Sequence, residues 1–276
     1  MNIGAHVSIA GGIENAPLNA FAENCECFQM FSRSPRGGKA PEINDEVVKK
    51  FQQNIKDNGL GNAYIHTPYY INLASKQDRV RNGSISIIRE ELDRASRLGV
   101  VAVMTHLGSS KDFARAKALK MVIDGIAELL KGYNGGAMFL LEIAAGSGNI
   151  IGDSFEEIGE IIKKVKHKKV AVCFDTAHAF ASGYDLRTKE SVEVTLNKFD
   201  QAVGLNLLQL IHANDSKVAL NAKVDRHEHI GQGEIGEKGF AVLINHPKLK
   251  NVDFILETPA EGRANDIKIL KKLRKK

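Results

Sequence analysis

The chain lacks the features that mark several large classes of protein. It has no tryptophan, six prolines and only three cysteines among 276 residues. Three cysteines provide no disulfide framework for a chain of this length, which is typical of a protein kept in a reducing compartment. Cys25, Cys27 and Cys173 lie in apolar, strand-like stretches. We therefore expect buried free thiols, rather than a metal-binding pair at Cys25 and Cys27.

Membrane and secretion signals are also missing from the sequence. No run reaches the roughly 18 apolar residues that would span a bilayer. The first residues, MNIGAHVS, show no basic segment followed by an apolar one, as a secretory signal would. We therefore expect a cytoplasmic protein with no membrane partner.

The composition is that of an ordinary globular protein with a mild basic bias. Hydrophobic residues make up 43% of the chain, and the formal net charge is +5 with an isoelectric point near 9.0. This bias favours anionic partners weakly. The length suits one barrel of alternating strands and helices, which needs roughly 250 residues.

Eight short apolar runs alternate with longer amphipathic segments. The runs are nearly continuous in apolar residues, as strands buried on both faces of a parallel sheet are. They occupy residues 2–7, 25–31, 62–66, 100–106, 137–143, 169–175, 206–213 and 252–258. Of the intervening segments, 78–99 reads as a helix that stops at Gly99, 112–131 as another, and 154–165 as a helix with a capping Ser154.

This alternation predicts the fold class. Since no proline-rich or low-complexity linker interrupts it, we expect a single α/β domain over residues 1–276. Parallel strands joined by right-handed helical crossovers predict a TIM (β/α)8 barrel. The active site of such a barrel lies at the C-terminal rim of the strands.

Six of the eight runs end in a residue that can bind a metal ion. These residues are His66, His106, Glu142, Asp175, His212 and Glu257. They lie 33 to 45 residues apart, about one strand–helix unit each, so a barrel would bring them together at one rim. A carboxylate that ends an apolar strand is costly to bury unless it is paired or bound to metal. The set is large enough for more than one divalent ion.

Two loops supply further candidate ligands. His178 follows Asp175 within the first turn after the sixth run. In the segment VDRHEHIGQGEIG, Asp225 and His227 are two residues apart and would face the same way in an extended chain. His229 shares that phase, so the spacing alone leaves His227 and His229 as alternatives.

Eight stretches of the sequence resemble the endonuclease IV family, zinc-dependent apurinic/apyrimidinic endonucleases with a TIM-barrel fold. They run from residue 4 to residue 259, and the fifth, together with VDRH, is highly specific. The stretches are GAHVSIAGG, HTPYYINLA, THLGS, LEIAAGSG, FDTAHAFASGYDLR, HANDSK, VDRHEHIGQGEIG and ILETP.

The resemblance implies a cluster of three zinc ions, in which manganese could replace part of the zinc. Glu142 would bridge two of the ions and is the residue we expect to be catalytic. The implied ligand sets are His66, His106 and Glu142 for the first ion, Glu142, Asp175, His212 and Glu257 for the second, and His178, Asp225 and His227 for the third. The D-R-H pattern thus favours His227 over His229 by analogy. His6, which ends the first run, is expected to have only a supporting or structural role.

The resemblance also implies an activity and a partner. The family cleaves the phosphodiester 5′ to abasic sites in double-stranded DNA, leaving a 3′-hydroxyl and a 5′-deoxyribose phosphate, through zinc-bound hydroxide. It also removes blocking groups from 3′ ends. The implied protein is a DNA-repair enzyme, expected to be a monomer associated with the nucleoid in a prokaryotic cell.

Two residues match positions that contact DNA in the family. Arg36 matches an arginine that enters the DNA, and Tyr69 matches a tyrosine inserted where the duplex bends. The sequence departs from the family at Gly37 and Gly38, where familiar members carry a bulkier polar and aromatic pair. This departure puts the selectivity for abasic sites in doubt. Arg33 keeps a second cation in the same loop and is expected to compensate partly by a phosphate contact.

Two other functions fit parts of the pattern. A metal-dependent sugar isomerase or epimerase would use a related barrel with about four ligands for one or two ions. A non-catalytic DNA-binding barrel would fit the glycine pair, which cannot act as a wedge. The nine candidate ligands and the basic charge favour the nuclease over the isomerase or epimerase, whereas a gel assay with an abasic analogue separates it from the DNA-binding barrel.

Overall fold

Eight parallel strands close into a barrel in the computed structural model, which describes residues 1–275; Lys276 lies outside the described residues. Each strand pairs with its sequence neighbours, and the first strand pairs with the last to close the ring. In chain order the strands are β1 (Ile3–His6), β2 (Cys27–Met30), β3 (Ala63–His66), β4 (Ala102–Thr105), β5 (Met138–Glu142), β6 (Val170–Asp175), β7 (Leu208–His212) and β8 (Asp253–Leu256). The predicted TIM-barrel fold is confirmed.

Every barrel strand lies inside a predicted run but is usually one or two residues shorter at one or both ends. As a result, His106 and Glu257 stand one residue beyond the last paired residue of their strands. The first two residues of the seventh run belong to a 3-10 turn, Leu205–Leu207, before β7 begins. An apolar run shows which residues are buried. The strand itself ends earlier, at the last residue that is hydrogen-bonded to a neighbouring strand.

Helices cover the outside of the barrel, except for the short α6 (Thr176–Ala181), which is fully buried and lies at the C-terminal rim. They are α1 (Ala16–Ala22), α2 (Asp45–Asp57), α3 (Asp78–Leu98), α4 (Arg115–Leu130), α5 (Phe155–Val165), α6 (Thr176–Ala181), α7 (Lys189–Ala202), α8 (Gly236–Ile244) and α9 (Ala260–Leu273). Ser154 caps α5 by accepting a hydrogen bond from the Glu157 amide at 3.2 Å. Gly99 ends α3 in the left-handed conformation, with φ of 79°. Helix α4 begins at Arg115 rather than at 112, because residues 110–113 form a turn.

The apolar core has two layers. A large layer lies between strands and helices. A smaller cluster fills the barrel interior and includes Cys27, Tyr64, Met104, Cys173 and Ile255. All three cysteines are buried and free, as the sequence predicted.

The two ends of the barrel interior are polar. At the end where the strands begin, the buried Asp253 accepts hydrogen bonds from Asn2, Asn62 and Tyr64. At the opposite end, the candidate ligands meet. Within residues 1–275, no helix combines the length and apolar character needed to cross a bilayer.

Candidate metal centre

All nine predicted ligand residues meet at the C-terminal rim. His66, Glu142, Asp175 and His212 are the last residues of their strands, while His106 and Glu257 follow theirs directly. The other three come from loops after β6 and β7. His178 lies in α6, Asp225 in the long loop after β7, and His227 in a two-residue strand of that loop paired with Asp215–Ser216.

Glu142 is at the centre of the cluster and is fully buried. Its Oε2 lies 3.1 Å from Nε2 of His66 and 3.6 Å from Nε2 of His106. Its Oε1 lies 2.9 Å from Nδ1 of His212 and 3.6 Å from Nδ1 of His178. Each carboxylate oxygen therefore faces a different group of imidazoles, which is the arrangement of a bridging ligand.

The donor atoms fall into three groups, each with its members within 4.8 Å of one another. These groups are His66, His106 and Glu142; Glu142, Asp175, His212 and Glu257; and Asp175, His178 and His227. The first two have the same members as the ligand sets implied by the family resemblance. The third contains Asp175 where Asp225 was expected. Asp225 nevertheless approaches the same two imidazoles, with its Oδ1 3.2 Å from Nε2 of His178 and 3.5 Å from Nε2 of His227.

Hydrogen bonds orient three of the histidine rings. Nδ1 of His66 donates to the Thr67 carbonyl at 2.6 Å, and Nδ1 of His178 to the Ile143 carbonyl at 2.9 Å. Since a carbonyl can only accept, Nδ1 of both rings carries a proton, and Nε2, which faces the carboxylates of the cluster, is the atom that a cation would bind. His212 is turned the other way, because its Nε2 is bonded to the Gln29 side chain at 2.7 Å and its Nδ1 faces Glu142.

The sequence analysis missed Gln29 and Asn214, two buried residues that orient the candidate ligands. Nε2 of Gln29 donates to Oε1 of Glu257 at 2.6 Å. Nδ2 of Asn214 donates to Oδ2 of Asp175 at 2.7 Å, and Oδ1 accepts from the Glu257 amide at 2.8 Å. The signal for Gln29 was a polar residue in the middle of an apolar strand. His6 is also in contact, with Nδ1 2.9 Å from Nε2 of Gln29.

Burial and mutual attraction shift the ionisation of the cluster. Burial alone would raise the pKa of Glu142, but the imidazoles around it, His106 first, hold that pKa well below its usual range. Burial alone would lower the pKa of His178, but the carboxylates of Asp175 and Asp225 raise it to about 10. Glu142, Asp225 and Glu257, whose pKa values lie below their usual range, are therefore charged at neutral pH, and this charge must be balanced by protons on the histidines or by cations.

The residues present fit a set of divalent cations. Five imidazoles and four carboxylates form a nitrogen and oxygen donor set of the kind that suits zinc and also accepts manganese. Nδ1 of His106 is a buried nitrogen without a hydrogen-bond partner among residues 1–275. Nε2 of the same ring lies 3.6 Å from Oε2 of Glu142, a separation that two ligands of one cation can have.

Metal loading should release protons. Although burial lowers them, neighbouring anionic groups bring the pKa values of His66, His178 and His212 above the usual value. His178 and His212, whose pKa values are raised furthest, are then protonated at pH 7.5, and a cation must displace their protons to bind. We expect calorimetric titration of metal-free protein with zinc, in buffers of different ionisation enthalpy, to give more than one proton released per chain. The number should fall as the pH rises through about 10. Heat independent of the buffer at pH 7.5 would contradict this.

The predicted DNA-contacting residues lie at the same rim. Tyr69 has 71% of its surface exposed, and its ring lies 5.2 Å from that of Phe31 and 6.4 Å from that of His66. Arg36 is exposed in the loop after β2. Gly37 and Gly38 follow it with φ of 117° and 101°, and no atom of the described residues 1–275 lies within 4 Å of the position where a Cβ on Gly38 would be.

Two other residues named in the sequence analysis, Arg33 and His229, contact carboxylates outside the donor cluster. The phosphate contact expected of Arg33 is wrong, because its guanidinium is buried and forms ion pairs with Glu90 and Glu91 of α3. Arg33 therefore fastens the base of the loop after β2 to that helix. His229, the alternative to His227, donates from Nδ1 to Oδ2 of Asp266 at 2.7 Å and does not belong to any of the three donor groups.

Comparisons with known proteins agree with this architecture. A family model described as a xylose isomerase-like TIM barrel matches residues 19–275. A protein of Halothermothrix orenii named probable endonuclease 4 is 40% identical to this chain and covers 100% of both sequences. The crystal structure of endonuclease IV from Thermus thermophilus superposes with a TM-score of 0.88 at 33% identity, covering 99% of this chain and 98% of that one. A D-tagatose 3-epimerase-like protein shares the fold with a TM-score of 0.76 at 20% identity.

Proposed function

The chain belongs to the endonuclease IV family of nucleases, and we propose that it hydrolyses the phosphodiester 5′ to abasic sites in duplex DNA. The products would be a 3′-hydroxyl and a 5′-deoxyribose phosphate. The observation that carries this proposal is the convergence of nine donor side chains at one rim, with Glu142 between two of the donor groups.

We assign the three cation sites to the ligand sets implied by the family resemblance. The third set is supported by the short approach of Asp225 to His178 and His227. When bound, zinc ions would lower the pKa of water towards neutrality and offset charge on the phosphate. The protein's own part is to hold the donors rigidly, through the bonds of Gln29 and Asn214.

DNA recognition is assigned to the exposed side chains around the rim. Tyr69 stands beside the donor cluster and presents an aromatic face to solvent. Arg36 offers a cation on the neighbouring loop. Inserting side chains into a duplex costs a few kcal/mol for unstacking, and least where a base is already missing. This difference favours abasic DNA even with the small Gly37–Gly38 tip.

A gel assay tests the proposed function directly. Zinc-loaded protein is mixed with a duplex that contains one tetrahydrofuran abasic analogue and, separately, with the matching undamaged duplex. We expect a single cut 5′ to the analogue, a 3′ end that a polymerase can extend, and no cut in the undamaged duplex. Binding without scission would favour the non-catalytic DNA-binding barrel, and neither binding nor scission would refute the proposal. A duplex with a 3′-phosphoglycolate end would test the removal of blocking groups.

Replacing Tyr69 by alanine should weaken binding without affecting the metals. Stacking of a base on an aromatic ring contributes about 1–3 kcal/mol, so we expect roughly tenfold weaker binding of the tetrahydrofuran duplex to Tyr69→Ala. Phe21→Ala is the matched control, because Phe21 is an exposed aromatic residue near the opposite end of the barrel. Fluorescence anisotropy and metal analysis of both variants provide the measurement. Equal affinity in Tyr69→Ala and wild type would remove Tyr69 from the recognition surface.

The sugar isomerase or epimerase remains the competing function. The D-tagatose 3-epimerase-like protein is only 20% identical to this chain, so the comparison shows a shared fold and not a shared activity. Counting metals by plasma emission separates the two functions. Near three zinc ions per chain supports the nuclease, whereas one or two manganese ions would support the isomerase.

We further propose that the whole chain is one catalytic domain that acts as a monomer, since a single barrel supplies every donor at the rim. Its action on chromosomal DNA would place it at the nucleoid of a prokaryotic cell. Light scattering measures the molar mass of the protein, free and bound to the abasic duplex, and so tests whether it is a monomer.

A further inference from the structure

The long loop between β7 and α8 carries two of the candidate ligands but has little apolar anchorage. Residues 221–226 are all exposed, and Asp225 is among them. His227 pairs with Ser216 in a ladder of only two residues on each side. An exposed loop normally moves on fast timescales, whereas a metal ligand must be held to within a few tenths of an ångström. Polar contacts must therefore hold this loop.

Asp215 makes more of those contacts than any other side chain of the loop, and two backbone amides near Asp225 also bond carbonyls of α6. It is fully buried, and it accepts hydrogen bonds from five backbone amides. The donors are Ser216 at 2.8 Å and Ile235 at 2.9 Å to Oδ1, and Gly231 at 2.9 Å, Gly233 at 3.2 Å and Gly236 at 3.2 Å to Oδ2. Two carboxylate oxygens offer about four lone-pair sites, so Asp215 has no acceptor capacity left for a cation.

The close packing of the backbone around Asp215 also explains why residue 233 is a glycine. A Cβ on Gly233 would lie 2.4 Å from the Ser216 carbonyl oxygen and 2.6 Å from Oδ1 of Asp215. No side chain can be placed there without moving the backbone. The segment 229–236 is thus shaped to bring its amides onto this carboxylate.

A second buried carboxylate holds the same segment from the other side. Asp266 of α9 accepts from the Ile230 amide at 3.1 Å through Oδ1. Its Oδ2 accepts from His229 at 2.7 Å and from the Thr258 hydroxyl at 2.7 Å. Thr258 follows the candidate ligand Glu257, so Asp266 ties the loop after β7 to the exit of β8.

We propose that Asp215, assisted by Asp266, is a positioning residue that holds Asp225 and His227 at the third cation site. This inference rests on the proposed function only in assuming three bound ions. The anchored segment begins two residues after His227, and the ladder partner of His227 is adjacent to Asp215. Releasing the amides from Asp215 would loosen the backbone that follows His227, and with it the third cation site, while leaving the donors on the barrel strands in place.

The test compares two buried aspartates in the zinc-loaded full chain. In Asp215→Asn, an amide NH2 replaces one oxygen and faces the backbone amides, so we expect zinc to fall from three ions to two per chain. The affinity for the third ion should fall by about tenfold or more, as for other residues that orient metal ligands. Asp253→Asn is the matched control, because Asp253 is equally buried and hydrogen-bonded but lies at the opposite end of the barrel. It should lose thermal stability yet keep three zinc ions.

The outcomes are distinct. Three ions with unchanged affinity in Asp215→Asn, or equal metal loss in both variants, would overturn the inference, as would a wild-type protein that binds fewer than three. If Asp215→Asn does not fold, His229→Gln serves instead, since His229 is partly exposed and reaches only Asp266. It should weaken the third ion relative to Asp253→Asn, and an unchanged affinity would again overturn the inference. Failure of the wild type to cut abasic DNA while holding three ions would refute the proposed function alone.

Discussion

The Glu142→Gln variant should lose nearly all cleavage of abasic DNA. Glu142 is buried, and its two oxygens face separate groups of imidazoles at 2.9 to 3.6 Å. The amide keeps the shape but removes the negative charge, and it replaces one acceptor by a donor that repels a cation. Loss of a ligand that serves two ions should exceed the 10- to 100-fold cost typical of residues that only orient ligands. We expect a fall in kcat of about 100-fold or more, together with less than three zinc ions per chain.

The control for this variant is Glu91→Gln. Glu91 has the same residue type and full burial, but it bonds Ser32 and Arg33 beneath the loop after β2 and belongs to none of the donor groups. It should lose stability and keep its metal content. Single-turnover cleavage, metal analysis and circular dichroism are measured on both. A Glu142→Gln protein that retains more than about a tenth of the wild-type rate would show that Glu142 does not bridge ions needed for the reaction.

Removing the metals should abolish cleavage and also weaken the fold. Without cations, the buried carboxylates are balanced only by protonated histidines, and the imidazole rings are crowded, with the ring centroids of His66 and His212 6.1 Å apart. A ligand at about 1,000 times its dissociation constant stabilises the native state by about 4 kcal/mol. In a chain of this size, that corresponds to roughly 10 °C in Tm.

The experiment uses dialysis against a chelator, followed by removal of the chelator. We expect the stripped protein to cut the tetrahydrofuran duplex at less than about 1% of the loaded rate and to melt at a lower temperature. Zinc should restore both properties, with magnesium as the control addition. A protein shown by plasma emission to be free of metal, yet active at the full rate, would contradict the proposed chemistry. Recovery with manganese but not zinc would instead favour the isomerase.

The sequence predicted the barrel because its signals are local. Strands buried on both faces must be continuously apolar, and the helices between them must be amphipathic, so the order of elements can be read directly. All eight strands fell within the predicted runs, and α3 ended at Gly99 as expected. The strand ends were less accurate, because the last hydrogen bond depends on the neighbouring strand rather than on hydrophobicity.

The candidate metal ligands could also be predicted from the sequence, for a related reason. A charged residue at the end of an apolar strand is unusual, and parallel strands in a barrel bring such ends to one rim. The grouping of donors into three sets came from the family resemblance, and the division among the ions stays a prediction. The tertiary structure placed Asp175 close to His178 and His227 as well as to the second donor group.

The sequence by itself determined the order of strands and helices, the likeness to a nuclease family, and the residues able to bind metal at the rim. Only the tertiary structure decided which polar side chains support them. It paired Gln29 with Glu257 across 228 residues and buried Arg33 against α3. It also turned His229 towards Asp266 and wrapped five amides around Asp215. The physical reason is that residue type and periodicity specify a face of an element, whereas a hydrogen-bond partner depends on which distant element packs against that face.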